Sequence, residues 1–261
     1  MTILDEILQS TRESLERRKK EVPWEELRSR LEKPLPAPGF KKALGREGVH
    51  LIAELKKSSP SNGVIRQDFD APKLAKSLEG AGSSGISVLT EEKYFGGELS
   101  FLDDVRRAVA LPLLRKDFIM DEYQVHESKL HGADAILLIA SILTRQQLQD
   151  LAAAAFSVSL DVLLEIHDET ELDKAQAVPE AVIGVNTRNL KDFSIDLQVL
   201  PRLMQRLPAG RMVICESGVK DTGDLALIMA AGARGVLVGT SLMRAPDPAA
   251  LAAEFAAFLK Q

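Results

Sequence analysis

Two lysines, three glutamates, an asparagine and an arginine stand where short apolar runs give way to polar sequence: Glu54, Lys56, Lys116, Glu165, Asn186, Arg188 and Glu216. A lysine in a crowded pocket has its pKa lowered by burial and like charge, which predicts Lys116 as a general acid usable near neutrality. A carboxylate nearby supplies a base. Burying charges costs several kcal/mol each unless they are paired, so such a group marks a site more often than a core. Asn186-Thr187-Arg188 adds a fork of donors that suits a carboxylate. The bland alternatives are a rim lysine paired with Asp117 and an arginine paired with a rim glutamate.

A second signal is for an anion. Glu216-Ser217-Gly218 and Gly239-Thr240-Ser241 combine glycines, whose backbone N–H groups approach a phosphate closely, with hydroxyl donors. Either tripeptide alone is an ordinary turn; together they predict a phosphate cradle. Phe95 and Phe118 are candidates for lining an aromatic pocket or for capping a core. No metal-ligand spacing rises above chance: Glu165-x-His167 has no second pair, and His50, His126 and His131 are scattered. Cys215, inside an apolar run, reads as a small buried residue rather than a nucleophile.

The elements that position these groups follow from periodicity. Eight β-rich runs recur roughly every 20–35 residues: Val49–Leu55, Gly85–Leu89, Leu111–Arg115, Ala133–Ile139, Leu160–Leu164, Ala181–Val185, Arg211–Cys215 and Gly235–Val238. Most end in a polar group; Ala133–Ile139 runs into Ala140. Helical patterns lie between them, as in 70–79, 122–130, 144–155, 169–177, 196–206, 221–230 and 248–259. Runs apolar at nearly every position suit strands buried on both faces. The expected fold is an α/β (β/α)8 TIM barrel over 49–261, with the active site at the carboxyl ends of the strands. An open doubly wound sheet ranks below it, because Lys56-Lys57-Ser58-Ser59-Pro60 replaces the glycine fingerprint after the first strand. Loops after strands seven and eight are where such barrels hold phosphate.

Residues 1–48 form an N-terminal helical extension. Thr2 to Asp5 resembles a capping box, Ile3, Ile7, Leu8 and Leu15 share a helical face, and Trp24, Leu27 and Leu31 suggest a second helix. Pro34, Pro36 and Pro38 make a stiff connection, and Phe40–Leu44 a short helical turn closed by Gly45. The extension covers the barrel bottom or its first helix, or part of it reaches the pocket mouth. The long loop Ser58–Phe69 is a candidate lid.

The chain has 261 residues and a net charge of −5, with 45% hydrophobic and 27% charged residues, ordinary for a globular domain. No basic stripe suggests nucleic acid. No apolar stretch reaches the roughly 18 residues needed to span a bilayer, and no signal peptide is evident. A single cysteine excludes an intrachain disulfide, so a reducing cytoplasm is expected. No exposed apolar stripe can be separated from the barrel helices, so the oligomeric state stays open, with a monomer favoured.

The blocks that carry these residues resemble the indole-3-glycerol phosphate synthase family of tryptophan biosynthesis. They are Ile52 to Ser61, Leu114 to Ile119 with Asp121, Tyr123 and Gln124, Leu164 to His167, Gly184 to Leu190, Glu216 to Gly218 and Val238 to Met243. The resemblance implies a reaction without cofactor or metal. The substrate is 1-(2-carboxyphenylamino)-1-deoxyribulose 5-phosphate, whose ring carbon attacks the ketone before carbon dioxide and then water leave. It implies Lys116 as general acid, Glu165 as base, and Lys56 as rival donor in dehydration. Glu54 would hold the lysines and substrate hydroxyls, Glu216 the hydroxyls, and Asn186 and Arg188 the anthranilate ring and carboxylate. Ser217, Gly218, Gly239 and Thr240 would cradle phosphate, and Ser59, Pro60, Phe95, Phe118, Leu137 and Leu237 would shape the ring pocket. Thr187 and Asn189 depart from the family's usual asparagine and aspartate, and Thr240 from its usual serine or glutamate; these changes bear on affinity.

Three rival functions are open to these residues. A phosphoribosylanthranilate isomerase-like barrel needs a Cys–Asp pair where this chain has Glu54 and Asn186. A Schiff-base aldolase uses Lys116 as nucleophile. A phosphometabolite-binding module without turnover has no need of three carboxylates beside its anion pocket.

Overall fold

Eight parallel strands close into one barrel in the computed structural model, which describes residues 2–31, 39–189 and 193–261. The strands are β1 (His50–Leu55), β2 (Gly85–Leu89), β3 (Leu113–Lys116), β4 (Ala135–Ile139), β5 (Asp161–Ile166), β6 (Val182–Asn186), β7 (Val213–Glu216) and β8 (Gly235–Val238). Closure pairs Ala53 of β1 with Val238 of β8. Helices α1 (Ile3–Glu21), α2 (Trp24–Arg30) and α3 (Phe40–Leu44) precede the barrel. The barrel's own helices are α4 (Ala71–Gly80), α5 (Ser100–Ala108), α6 (Glu122–Leu130), α7 (Arg145–Ser157), α8 (Leu172–Gln176), α9 (Val199–Met204), α10 (Thr222–Ala230), α11 (Thr240–Arg244) and α12 (Pro248–Phe258). Among the described residues no helix is long and apolar enough to cross a membrane.

Alternate strand residues face opposite ways, and the two faces form separate apolar clusters. Leu51, Val88, Ile136, Leu164, Ile183 and Val236 pack outward against the helices. Ile52, Leu114, Leu163 and Ile214 fill the interior as one layer from alternate strands.

Several strands run one or two residues past the apolar runs. Glu165, Asn186, Glu216 and Lys116 are strand residues rather than loop residues. Charge at a side chain does not stop the backbone ladder: the Glu165 carbonyl still accepts from Ala140 N–H at 2.9 Å. The third strand starts at Leu113 rather than Leu111, because Pro112 has no N–H to give the ladder. The expected helix at 169–177 is a 3-10 turn (Glu169–Glu171) running into α8, and that at 196–206 shortens to α9. The first βα loop contains a two-stranded antiparallel ribbon in which Ser58 pairs with Val64.

The extension does both things the sequence allowed. At the bottom, Phe40 and Leu44 of α3 are fully enclosed in the interior cluster, and Lys41 N–H donates to Asp161 at 2.7 Å. At the top, α1 begins with the expected capping box, Thr2 against Asp5. It is tied to the second βα loop through Arg17–Glu92 (2.8 Å) and to α6 and its N-cap through Arg18–Glu127 (2.8 Å) and Lys19–Asp121 (2.7 Å). The proline connection at Pro34, Pro36 and Pro38 lies outside the described residues, as does Leu190.

Phe40 is 0% exposed, and its loss would leave a void among branched side chains. Phe40→Ala is expected to destabilise the protein by about 3–5 kcal/mol, read from urea unfolding. A loss under about 1 kcal/mol would mean that α3 does not plug the barrel.

Candidate active site

The uppermost interior layer from the odd strands is ionisable throughout: Glu54 of β1, Lys116 of β3, Glu165 of β5 and Glu216 of β7. Period-two alternation puts each two residues above the apolar Ile52, Leu114, Leu163 and Ile214. The layer floors a cavity of about 510 Å³ at the carboxyl ends of the strands. All seventeen residues singled out in the sequence line that cavity.

Lys116 Nζ donates to Glu165 Oε2 at 2.9 Å and lies 3.3 Å from Glu216 Oε2. Lys56 Nζ donates to Glu54 Oε2 at 2.5 Å. The side chains of Glu165 and Glu216 are 2% exposed and that of Lys116 is 14% exposed. Burial alone would lower the pKa of Lys116, but the charges of Glu165, Glu216 and Glu54 outweigh it and hold the ammonium well above its usual range. This reverses the lowered value expected from the sequence; the reason is that three carboxylates, not cations, surround it. Burial likewise opposes ionisation of Glu165, and Lys116 and His167 override it, holding the carboxylate below its usual range. Glu216 goes the other way. Burial, with repulsion from Glu165 and Glu54, pushes it up to about 8 against the pull of Lys116.

Asp117 does not pair with Lys116. It accepts from Arg115 Nη2 at 3.0 Å and from the Thr90 hydroxyl at 2.6 Å. Arg115 points outward behind the sheet, buried, and donates also to Glu127 (2.9 Å) and to Thr90 (3.1 Å). Arg188 donates to the Phe193 carbonyl at 3.2 Å, and the Asn186 side-chain oxygen accepts the Arg188 N–H at 3.1 Å. Thr187 donates its hydroxyl to the Glu216 carbonyl at 3.2 Å, tying the ends of β6 and β7 together.

Two glycines make room for the carboxylates. A Cβ on Gly184 would stand 2.0 Å from Glu216 Oε1, and one on Gly239 would stand 2.2 Å from Glu54 Oε2. Gly239 therefore has a packing reason to be glycine besides any contact with an anion. In the neighbouring loop Ser217 and Gly218 take left-handed φ values of 68° and 89°. The Ser241 hydroxyl donates to the Val219 carbonyl and joins the two candidate phosphate loops. Across the mouth, Phe95 and Phe118 stand with ring centroids 6.2 Å apart, beside Leu137 and Leu237. Ser59 and Pro60 of the first loop line the same opening.

Sequence reasoning missed several contributors. Ile3, Leu4 and Ile7 of α1 line the mouth; their helical face was visible, its destination was not. Arg244 and Asn62 also line it and bond to each other at 2.7 Å. His167 was weighed only as a metal ligand, whereas its Nε2 lies 3.3 Å from Glu165 Oε1. The i, i+2 spacing at a strand end was the available signal.

The chain is similar to known proteins over nearly its whole length. The sequence profile described as indole-3-glycerol phosphate synthase matches residues 4–255. The indole-3-glycerol phosphate synthase of Rhodopirellula baltica is 45% identical over 249 residues, covering 95% of this chain and 96% of the relative. That of Desulfotalea psychrophila is 47% identical over 213 residues, covering 81% and 82%. The crystal structure of 3-hexulose-6-phosphate synthase from Salmonella typhimurium has a TM-score of 0.67 at 15% identity, covering 82% of this chain and 99% of that one; it shares the fold.

Glu216 carries a stability signature. Its carboxyl rises from the ordinary 4.5 to about 8, so the folded protein holds this proton more tightly than the unfolded chain. The stability this contributes is complete below about 4.5 and is lost as pH rises through about 8. Glu216→Gln cannot titrate. Relative to wild type, its urea midpoint is expected to rise between about pH 5 and about pH 8.5. A difference that stays flat across that interval would refute a raised Glu216.

Proposed function

Since this chain belongs to the indole-3-glycerol phosphate synthase family, we propose that it closes the indole ring of 1-(2-carboxyphenylamino)-1-deoxyribulose 5-phosphate, releasing carbon dioxide and water. The observation that carries the assignment of roles is the Lys116 ammonium, buried between Glu165 and Glu216 at the floor of the cavity. An anion-suited pair of loops borders that floor on one side and an aromatic pair on the other. Substrate phosphate sits on Ser217, Gly218, Gly239 and Thr240. The ring lies against Phe95, Phe118, Leu137 and Leu237, with Ser59 and Pro60 at its edge. Asn186 and Arg188 meet the ring and its carboxylate.

Lys116 protonates the ketone oxygen as the ring carbon attacks. Its resting pKa is too high for an efficient acid, since proton transfer is fastest when the pKa is near the working pH. Substrate hydroxyls that engage Glu54 weaken one of the charges holding the proton, and the ammonium becomes more acidic as the complex forms. Glu165, kept ionised, takes the proton during dehydration, and Lys56 is the second donor within reach of the substrate. Glu54 holds Lys56 and the substrate hydroxyls. A Schiff-base mechanism would need Lys116 as a free amine, which three carboxylates oppose. A monomer in a reducing cytoplasm is the working form in this reading, and the single buried cysteine suits that compartment.

Turnover followed by indole fluorescence is expected to survive excess chelator and to fall by about 10²–10⁴-fold or more in Lys116→Ala. Wild-type protein that binds this substrate without converting it, or a mutant that keeps most of its rate, would refute the proposal.

A further inference from the structure

We propose that His167 is a positioning residue for Glu165: a doubly protonated imidazole wedged between Glu171 and Glu165 fixes the carboxylate with one oxygen turned to Lys116. The inference rests on the assignment of Glu165 as the base. His167 does not line the cavity, so it acts through Glu165 rather than on substrate.

A carboxylate faces each ring nitrogen, an arrangement that favours two protons on the ring. Nε2 stands 3.3 Å from Glu165 Oε1, and Nδ1 stands 3.4 Å from Glu171 Oε2. Either neutral tautomer would turn a lone pair toward a carboxylate. Nε2 is buried and has no hydrogen-bonding partner, since Glu165 Oε1 lies in ion-pair range but off the donor line. Burial disfavours the charge, yet the carboxylates of Glu165 and Glu171 push the imidazole up to about 10. Glu171 is itself fixed, because its Oε2 accepts the His167 N–H at 2.7 Å.

Glu165 thus has a separate cation at each oxygen, His167 at Oε1 and Lys116 at Oε2. The charged groups facing this pair are Glu171 on the turn before α8, Lys116 on β3 and, beyond the ammonium, Glu216 on β7. Without His167 the carboxylate has a cation on one side only and is free to rotate about the Lys116 contact. It also loses a charge that keeps it ionised.

His167→Asn and His167→Gln separate position from fold. The glutamine amide reaches toward the place of Nε2 and can still donate to Glu165, whereas the asparagine amide stops near Nδ1. Both lack the charge. In His167→Asn, kcat is expected to fall on the order of 10–100-fold while KM and Tm change little. In His167→Gln, most of kcat should return. In both, the acid limb of the kcat–pH profile is expected to move up, because a cation beside Glu165 is gone. An acid limb at the wild-type position in both variants overturns the proposal. So does a kcat that falls no further with asparagine than with glutamine, or failure of both to fold. If only one variant folds, its acid limb decides. Wild-type protein without turnover overturns the underlying function as well, so the two failures are told apart.

Discussion

Placing four ionisable side chains in one buried layer is the constraint from which the rest of this molecule follows. Glu54, Lys116, Glu165 and Glu216 occupy interior positions that a barrel ordinarily fills with branched aliphatics. Unpaired, each would cost several kcal/mol to bury. The layer persists because its charges meet at short range and because Lys56 and His167 add positive charge at its edges. The neighbouring backbone is cut to fit. Gly184 and Gly239 stand where any Cβ would collide with Glu216 and Glu54. Such a layer cannot relax by moving one member, since each carboxylate helps set the proton affinity of the lysine.

Behind the layer a second polar network stiffens β3. Arg115, 1% exposed, joins Asp117, Thr90 and Glu127, and Glu127 in turn takes Arg18 of α1. A continuous run of charge-assisted hydrogen bonds therefore links the N-terminal helix to the strand that carries Lys116. The same helix offers Ile3, Leu4 and Ile7 to the mouth. The extension is part of the site at one end and the barrel's floor at the other, through Phe40 and Leu44.

The barrel and the gathering of the candidate residues around one cavity were legible in the sequence for a simple reason. Parallel strands buried on both faces read as apolar runs, and the residues that end them must share one rim. What period two could also have revealed, the inward turn of Lys116, Glu165 and Glu216 as strand residues, was obscured because charged residues look like loop. The sign of the Lys116 shift was not legible, since it depends on which groups lie within a few ångström across the barrel. His167 was misjudged by asking only about metals. The room left by Gly184 becomes visible only once the Glu216 carboxylate is placed over it. The destination of α1 depended on long-range pairs such as Arg17–Glu92, which no local pattern announces.

Three carboxylates keep Lys116 an ammonium in the unliganded site. Heteronuclear NMR of the labelled lysine side chains, with the Lys116 signal assigned by its loss in Lys116→Arg, reads this directly. The Lys116 signal is expected to stay at ammonium shifts through about pH 10, beyond the range in which a lysine lowered by burial would have titrated. A midpoint near neutrality would mean that the carboxylates do not hold the proton, and Lys116 would be the desolvated lysine that its crowded position first suggested.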